Sequence, residues 1–161
     1  MKRATPMPRA KRELRARVAK TVRKQRRDTG PTPAQRALVA ERAAYACELC
    51  GRALVEADGG WVVTHSFHHR QARGMGGSSR PDVNSPANIL LLCGTGTTGC
   101  HGFVEAHRTS AEAEGWLVRH GQDPAAVEVT VLAVIDGMFA PGTTYTRRVR
   151  LNDAGDYLEA S

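Results

Sequence analysis

The residues with types and spacing suited to chemistry fall in two groups. Cys47 and Cys50 form a CxxC knuckle, and Cys93 and Cys100 form a second pair with six residues between them. Four thiolates suit tetrahedral zinc, because their charge balances the ion and their soft sulfurs match it. The knuckle is short enough to place two sulfurs on one ion. The wider pair admits a second reading, in which a lone CxxC stands beside two buried cysteines. The other group is the doublet His68 and His69, with His101 directly after Cys100. Adjacent side chains on a strand face opposite ways, so a doublet can divide its labour, one imidazole binding metal and the other meeting a substrate. Imidazoles that merely pack are the competing reading. The sulfur of Cys100 would also fix where His101 points. Glu105 lies one helical turn beyond His101 on the same face, as a third ligand, a partner of a ligand, or a solvated glutamate.

These groups need elements to hold them. Thr32 before Pro33 has the form of an N-cap with proline at the first helical position, opening a helix over residues 34–45 that delivers Cys47 and Cys50. The β-branched run over 61–69 is expected to be a strand, closed by the histidine doublet. Residues 74–79 hold three glycines and should form a loop. Residues 88–92 make a second short strand, and a glycine–threonine loop over 94–99 leads to a helix over 100–114, stopped by Gly115. The middle of the chain thus has the order strand, strand, helix. Beyond Trp116, Val127, Val129 and Val131 alternate with polar residues, Asp136 and Gly137 suggest a turn, and residues 143–151 form a return strand. This small sheet is expected to cover the core. Its Arg147, Arg148 and Arg150 could touch a phosphate backbone.

Composition bounds the fold further. With 161 residues, two Trp, three Tyr and three Phe, the chain can build one modest core and benefits from a metal cross-link. Nothing resembles a signal segment or a membrane span, so a soluble intracellular protein is expected, where cysteines serve as metal ligands or free thiols. The net charge of +7 is uneven: residues 1–28 carry 12 of the 23 Lys and Arg against two acids, a local +10, and the remainder stands at −3. A basic arm of this kind is either a polyanion-binding segment or a solubilising tail. Within it Leu14, Val18 and Val22 give residues 9–27 the pattern of a helix with too thin an apolar stripe to fold alone. The expected class is α+β, with a basic arm over 1–31, a core over 32–116 and a β-rich extension over 117–161.

Several motifs together resemble a known family. Phe67-His68-His69-Arg70, Gly74-Met75-Gly76-Gly77, Ser85-Pro86-Ala87-Asn88 running into Ile89-Leu90-Leu91-Leu92-Cys93, and Gly99-Cys100-His101-Gly102 are similar to the HNH endonucleases of bacteriophages, in particular the zinc-binding subgroup found beside DNA-packaging genes. The resemblance runs from about Ala44 to Trp116. It implies a ββα-metal (His-Me finger) core and a DNA endonuclease working in the cytoplasm of a bacterial host. His68 and His101 match the family's ligands to a catalytic divalent ion, His69 its general base, and Asn88 the asparagine that steadies the loop holding the base. The catalytic ion is left open among magnesium, manganese, nickel and zinc, and a terminase and a portal are the partners the resemblance implies. A non-catalytic zinc module that binds nucleic acid, or a viral assembly factor, is the rival reading.

The residue types agree with that chemistry, since an imidazole near its ordinary pKa of about 6.5 serves as a base with little tuning. Arg70 and Arg73 follow the doublet and could clamp the phosphates flanking a cut. Two features depart from the family's simplest pattern. The Cys93–Cys100 spacing exceeds a CxxC, which leaves the path of the glycine-rich loop open. His65 shares a strand face with Phe67 and His69, where it would either orient the base or pack.

Overall fold

The computed structural model describes residues 30–74, 80–132 and 145–160. The expected helix over 9–27, most of the 74–79 loop and the Asp136–Gly137 turn lie outside these. The first helix, α1 (Pro33–Arg42), opens as the sequence implies. Thr32 accepts from the Gln35 amide while the Gln35 side chain reaches back to the Thr32 amide, a complete capping box with Pro33 inside the first turn. It ends three residues before the expected 45, because Ala44 and Tyr45 take positive φ values of 48° and 56°. That left-handed step turns the chain out of the helix and into the cysteine knuckle.

Two strands follow, β1 (His65–His69) and β2 (Ile89–Cys93), paired antiparallel with His65 opposite Cys93 and His69 opposite Ile89. The expected strand over 61–69 is shorter than its β-branched run: residues 61–64 belong to no strand, and Trp61 forms only an isolated bridge to Val55. A 3-10 turn, Pro86–Asn88, leads into β2, all five residues of which are buried. Helix α2 (Gly99–Ala106) packs on β2 and completes the strand–strand–helix unit. The single helix expected over 100–114 breaks at His107, whose Nδ1 bonds the Phe103 carbonyl, and resumes as α3 (Arg108–Ala113). Gly115, at φ 72°, turns the chain away after α3 as expected; a side chain there would collide with the Glu128 carbonyl.

The remaining strands, β3 (Val129–Leu132), β4 (Thr146–Leu151) and β5 (Tyr157–Glu159), form an antiparallel sheet in that order. The sequence pattern did not reveal β5. One apolar cluster joins Val39 of α1, residues 89–92 of β2 and Val104 of α2 to Val129, Val131, Val149 and Leu151, so this sheet closes a shared core. A buried polar network ties the same layers. Glu48 is 2 % exposed; its carboxylate accepts from Arg42, from the Leu91 amide and from the Tyr157 hydroxyl. Among the described residues no helix is long and apolar enough to cross a membrane.

Candidate metal centres and active site

The cysteine knuckle follows from the backbone around it. The Cys47 amide donates to the Arg52 carbonyl and the Gly51 amide returns to the Cys47 carbonyl, with Gly51 at φ 71° closing the turn. The second pair is drawn together by the loop whose path the sequence left open. Gly94 and Gly99 both have positive φ, Thr95 and Thr98 bridge each other, and a side chain on either glycine would strike the facing backbone. Six residues therefore fold back so tightly that the Cys100 amide lies 3.5 Å from the Cys93 sulfur. All four sulfurs lie within 4.8 Å of one another, so the cluster could bind a structural metal ion. A tetrahedron with metal–sulfur bonds of about 2.3 Å has edges of about 3.8 Å. Cys50 and Cys93 Sγ are 3.8 Å apart.

The electrostatics also fit a cation. Burial pushes the Cys47 thiol up to about 11. Cys100 is raised too, by burial and by the Cys47 sulfur beside it. Burial would raise Cys93 as well, but the Cys100 amide and the surrounding sulfurs outweigh it and bring that thiol below its ordinary value. A cation would take the place of the protons these crowded thiols hold.

The second cluster joins β1 to α2. His68, 3 % exposed, points inward from the strand, and His101 and Glu105 project from one face of the helix. A single Glu105 oxygen lies 3.9 Å from His68 Nδ1 and 3.8 Å from His101 Nε2. The three ligand atoms lie within 4.8 Å of one another. His68 Nε2 is 3.1 Å from the Trp116 carbonyl, which can only accept, so the proton sits on Nε2 and the Nδ1 lone pair faces Glu105. Burial, with the nearby His101 ring adding to it, lowers the His68 pKa to about 4. Burial also lowers His101, against the pull of the Glu105 carboxylate. Both rings are thus neutral at pH 7, the form that ligates. Glu105 is 39 % exposed, so the cluster opens to solvent on its side. Two imidazoles and one carboxylate with an open side fit a divalent ion that keeps free positions for other ligands.

His69 lies on the opposite face of the pleat, half-buried. Its Nε2 is 2.9 Å from Asn84 Oδ1, and Asn84 Nδ2 donates to the Gly30 carbonyl at 3.1 Å. With the amide oriented by Gly30, its oxygen faces the ring, the His69 proton sits on Nε2, and the Nδ1 lone pair remains available as a base. Burial lowers the His69 pKa; the Asn84 bond opposes this and the Arg73 charge adds to it. Asn88, 1 % exposed, staples the connection between the strands. Its Oδ1 accepts from the Gln71 amide at 2.8 Å and its Nδ2 donates to the Val83 carbonyl at 2.9 Å.

One expectation changes and one alternative is decided. Arg70 does not reach solvent to clamp a phosphate. It is fully buried, and its guanidinium donates to the carbonyls of Gly115, Ala87, Pro124 and Val127 at 2.7–3.1 Å. It is a cross-brace because five N–H donors in a planar fork can satisfy several loop carbonyls at once. Burial, with the Arg42 charge, lowers its pKa to about 10, still well above neutrality. His65 packs: its ring stacks on Trp61 with centroids 3.9 Å apart and its Nδ1 meets the Val63 carbonyl. Sequence reasoning missed Asn84 and the Trp116 carbonyl. A lone loop asparagine four residues before Asn88 carries little signal, and a backbone carbonyl carries none. Comparison with protein-family models, with curated proteins and with solved structures yields no match to this chain.

Proposed function

We propose that the chain is a metal-dependent DNA endonuclease of the HNH type, with zinc as the structural ion of the four-cysteine cluster. The observation that carries the reading is the division of labour across one strand. His68 joins His101 and Glu105 in a solvent-open cluster of metal donors, while His69 is held by Asn84 with a free ring nitrogen on the other face. The motif resemblance supports it from the sequence side.

On this reading His69 Nδ1 takes the proton of the water that attacks the scissile phosphorus. Asn84 keeps the ring in the required tautomer and orientation, and Asn88 fixes the loop behind it. A divalent ion held by His68, His101 and Glu105 would act as a Lewis acid, stabilising the charge that grows on the phosphate and the departing 3′ oxygen. General-base catalysis is worth about 10²- to 10⁴-fold. DNA is the proposed partner, approached through the basic arm and Arg73. Work beside a phage terminase and portal during packaging is proposed on the resemblance alone.

The test is nicking of supercoiled plasmid by the full chain with added magnesium or manganese, compared with His101→Ala. The reading expects metal-dependent nicking that His101→Ala loses by about 100-fold or more while its four-cysteine metal remains bound. Absence of cleavage with every divalent ion tried, in a folded protein that still binds DNA, would instead favour the non-catalytic zinc module.

A further inference from the structure

The strand face that carries His65, Phe67 and His69 continues into a row of rings. Trp61 stacks on His65 with centroids 3.9 Å apart and planes inclined by 22°, His65 meets Phe67 edge-on at 6.0 Å, and Tyr45 meets Trp61 at 6.0 Å. The Arg36 guanidinium lies 5.7 Å over the Phe67 ring. Trp61 and Tyr45 are 43 % and 39 % exposed. Single exposed apolar side chains are ordinary. A row of rings in mutual contact, one pair stacked and the others tilted or edge-on, with open ring surface is not, and it shares its strand face with the candidate base.

We propose that this row is a stacking platform for unpaired nucleobases, along which a single strand of nucleic acid reaches His69. The inference deepens the nuclease reading and rests on it for the role of His69. Every base has a π face, so stacking on exposed aromatic rings, reinforced by a guanidinium, binds single strands without reading sequence. The bases of an intact duplex are already stacked and cannot use such a surface. The body that carries the row stands at −3, and it is the local +10 of residues 1–28 that favours a polyanion over a neutral apolar partner for the chain. The substrate class is therefore DNA with single-stranded, frayed or branched segments.

The experiment is fluorescence anisotropy of the full chain, with magnesium omitted and salt raised to suppress charge-driven binding. The probes are a dye-labelled single strand of about 20 nucleotides, longer than the roughly 4–16 nucleotides of a typical single-strand site, and the matching duplex. The variant Trp61→Leu keeps apolar bulk and removes the π face. It should bind the single strand about tenfold more weakly with duplex affinity unchanged. Should the variant melt early, quenching of wild-type tryptophan fluorescence by the single strand but not by the duplex upholds the platform, and equal quenching by both overturns it. An unchanged single-strand affinity in folded Trp61→Leu, or equal losses on both probes, also overturns it. Binding needs no turnover, so Trp61-dependent single-strand binding by a protein that cuts nothing would uphold the platform while removing the nuclease reading.

Discussion

Replacing Arg70 by methionine separates its two candidate jobs, brace and phosphate clamp. In the structure the guanidinium makes four bonds of 2.7–3.1 Å to carbonyls from three stretches of chain, at Ala87, at Gly115 and at Pro124 and Val127. A bond from a charged donor is worth about 1.5–3 kcal/mol, which gives a gross loss of about 6–12 kcal/mol. Methionine fills much of the volume and relieves the desolvation of a buried charge, and water entering the site satisfies some carbonyls. A net loss of about 3–5 kcal/mol remains, the scale seen when one partner is removed from a buried charged arrangement. With a urea dependence of about 2 kcal/mol per molar, the unfolding midpoint should fall by about 2 M. A domain of about 5–15 kcal/mol tolerates this in water, so DNA affinity measured without denaturant should match the wild type. An unchanged midpoint with weakened DNA binding would refute the brace and restore the clamp.

The pH–rate profile should place the base. A base works unprotonated, and burial holds His69 below the ordinary 6.5, so kcat/KM should rise with pH through a value under 6.5 and be flat above it. The Asn84 bond is the influence that raises this pKa; Asn84→Ala should therefore move the acid limb lower still, while misorientation of the ring cuts the plateau rate by about tenfold to a hundredfold. A wild-type limb at or above 6.5, or one that Asn84→Ala leaves in place, contradicts the assignment. At the cysteine cluster, Cys50→Ala should lose the metal by mass spectrometry and melt about 10 °C or more lower; full metal retention would mean that the sulfurs are not its ligands.

The parts of the fold written in local chemistry were legible in the sequence. Thr32, Pro33 and Gln35 announced α1, the glycines around Cys93 and Cys100 announced a loop, and Cys47, Cys50, Cys93 and Cys100 lie together as their spacing implied. His68, His101 and Glu105 converge, the two histidines as the family resemblance implied and Glu105 as one of the three readings its helical spacing from His101 left open. What stayed hidden depends on contacts between distant segments. Nothing local distinguishes an arginine that braces carbonyls up to 57 residues away from one that faces solvent. The break at His107 and the left-handed pair Ala44 and Tyr45 likewise run against the helix propensity of the neighbouring alanines. Strand β5 is three residues long and is held through Tyr157, whose hydroxyl reaches the buried Glu48, a pairing no short pattern reveals.

The central claim is that one strand places a metal ligand and a base on its two faces. It is tested most directly by measuring metal content and plasmid nicking side by side on His69→Ala. The account predicts the same metal content and melting temperature as wild type, with nicking lost by about 100-fold or more. Nicking at the wild-type rate by this folded, metal-loaded variant would contradict it.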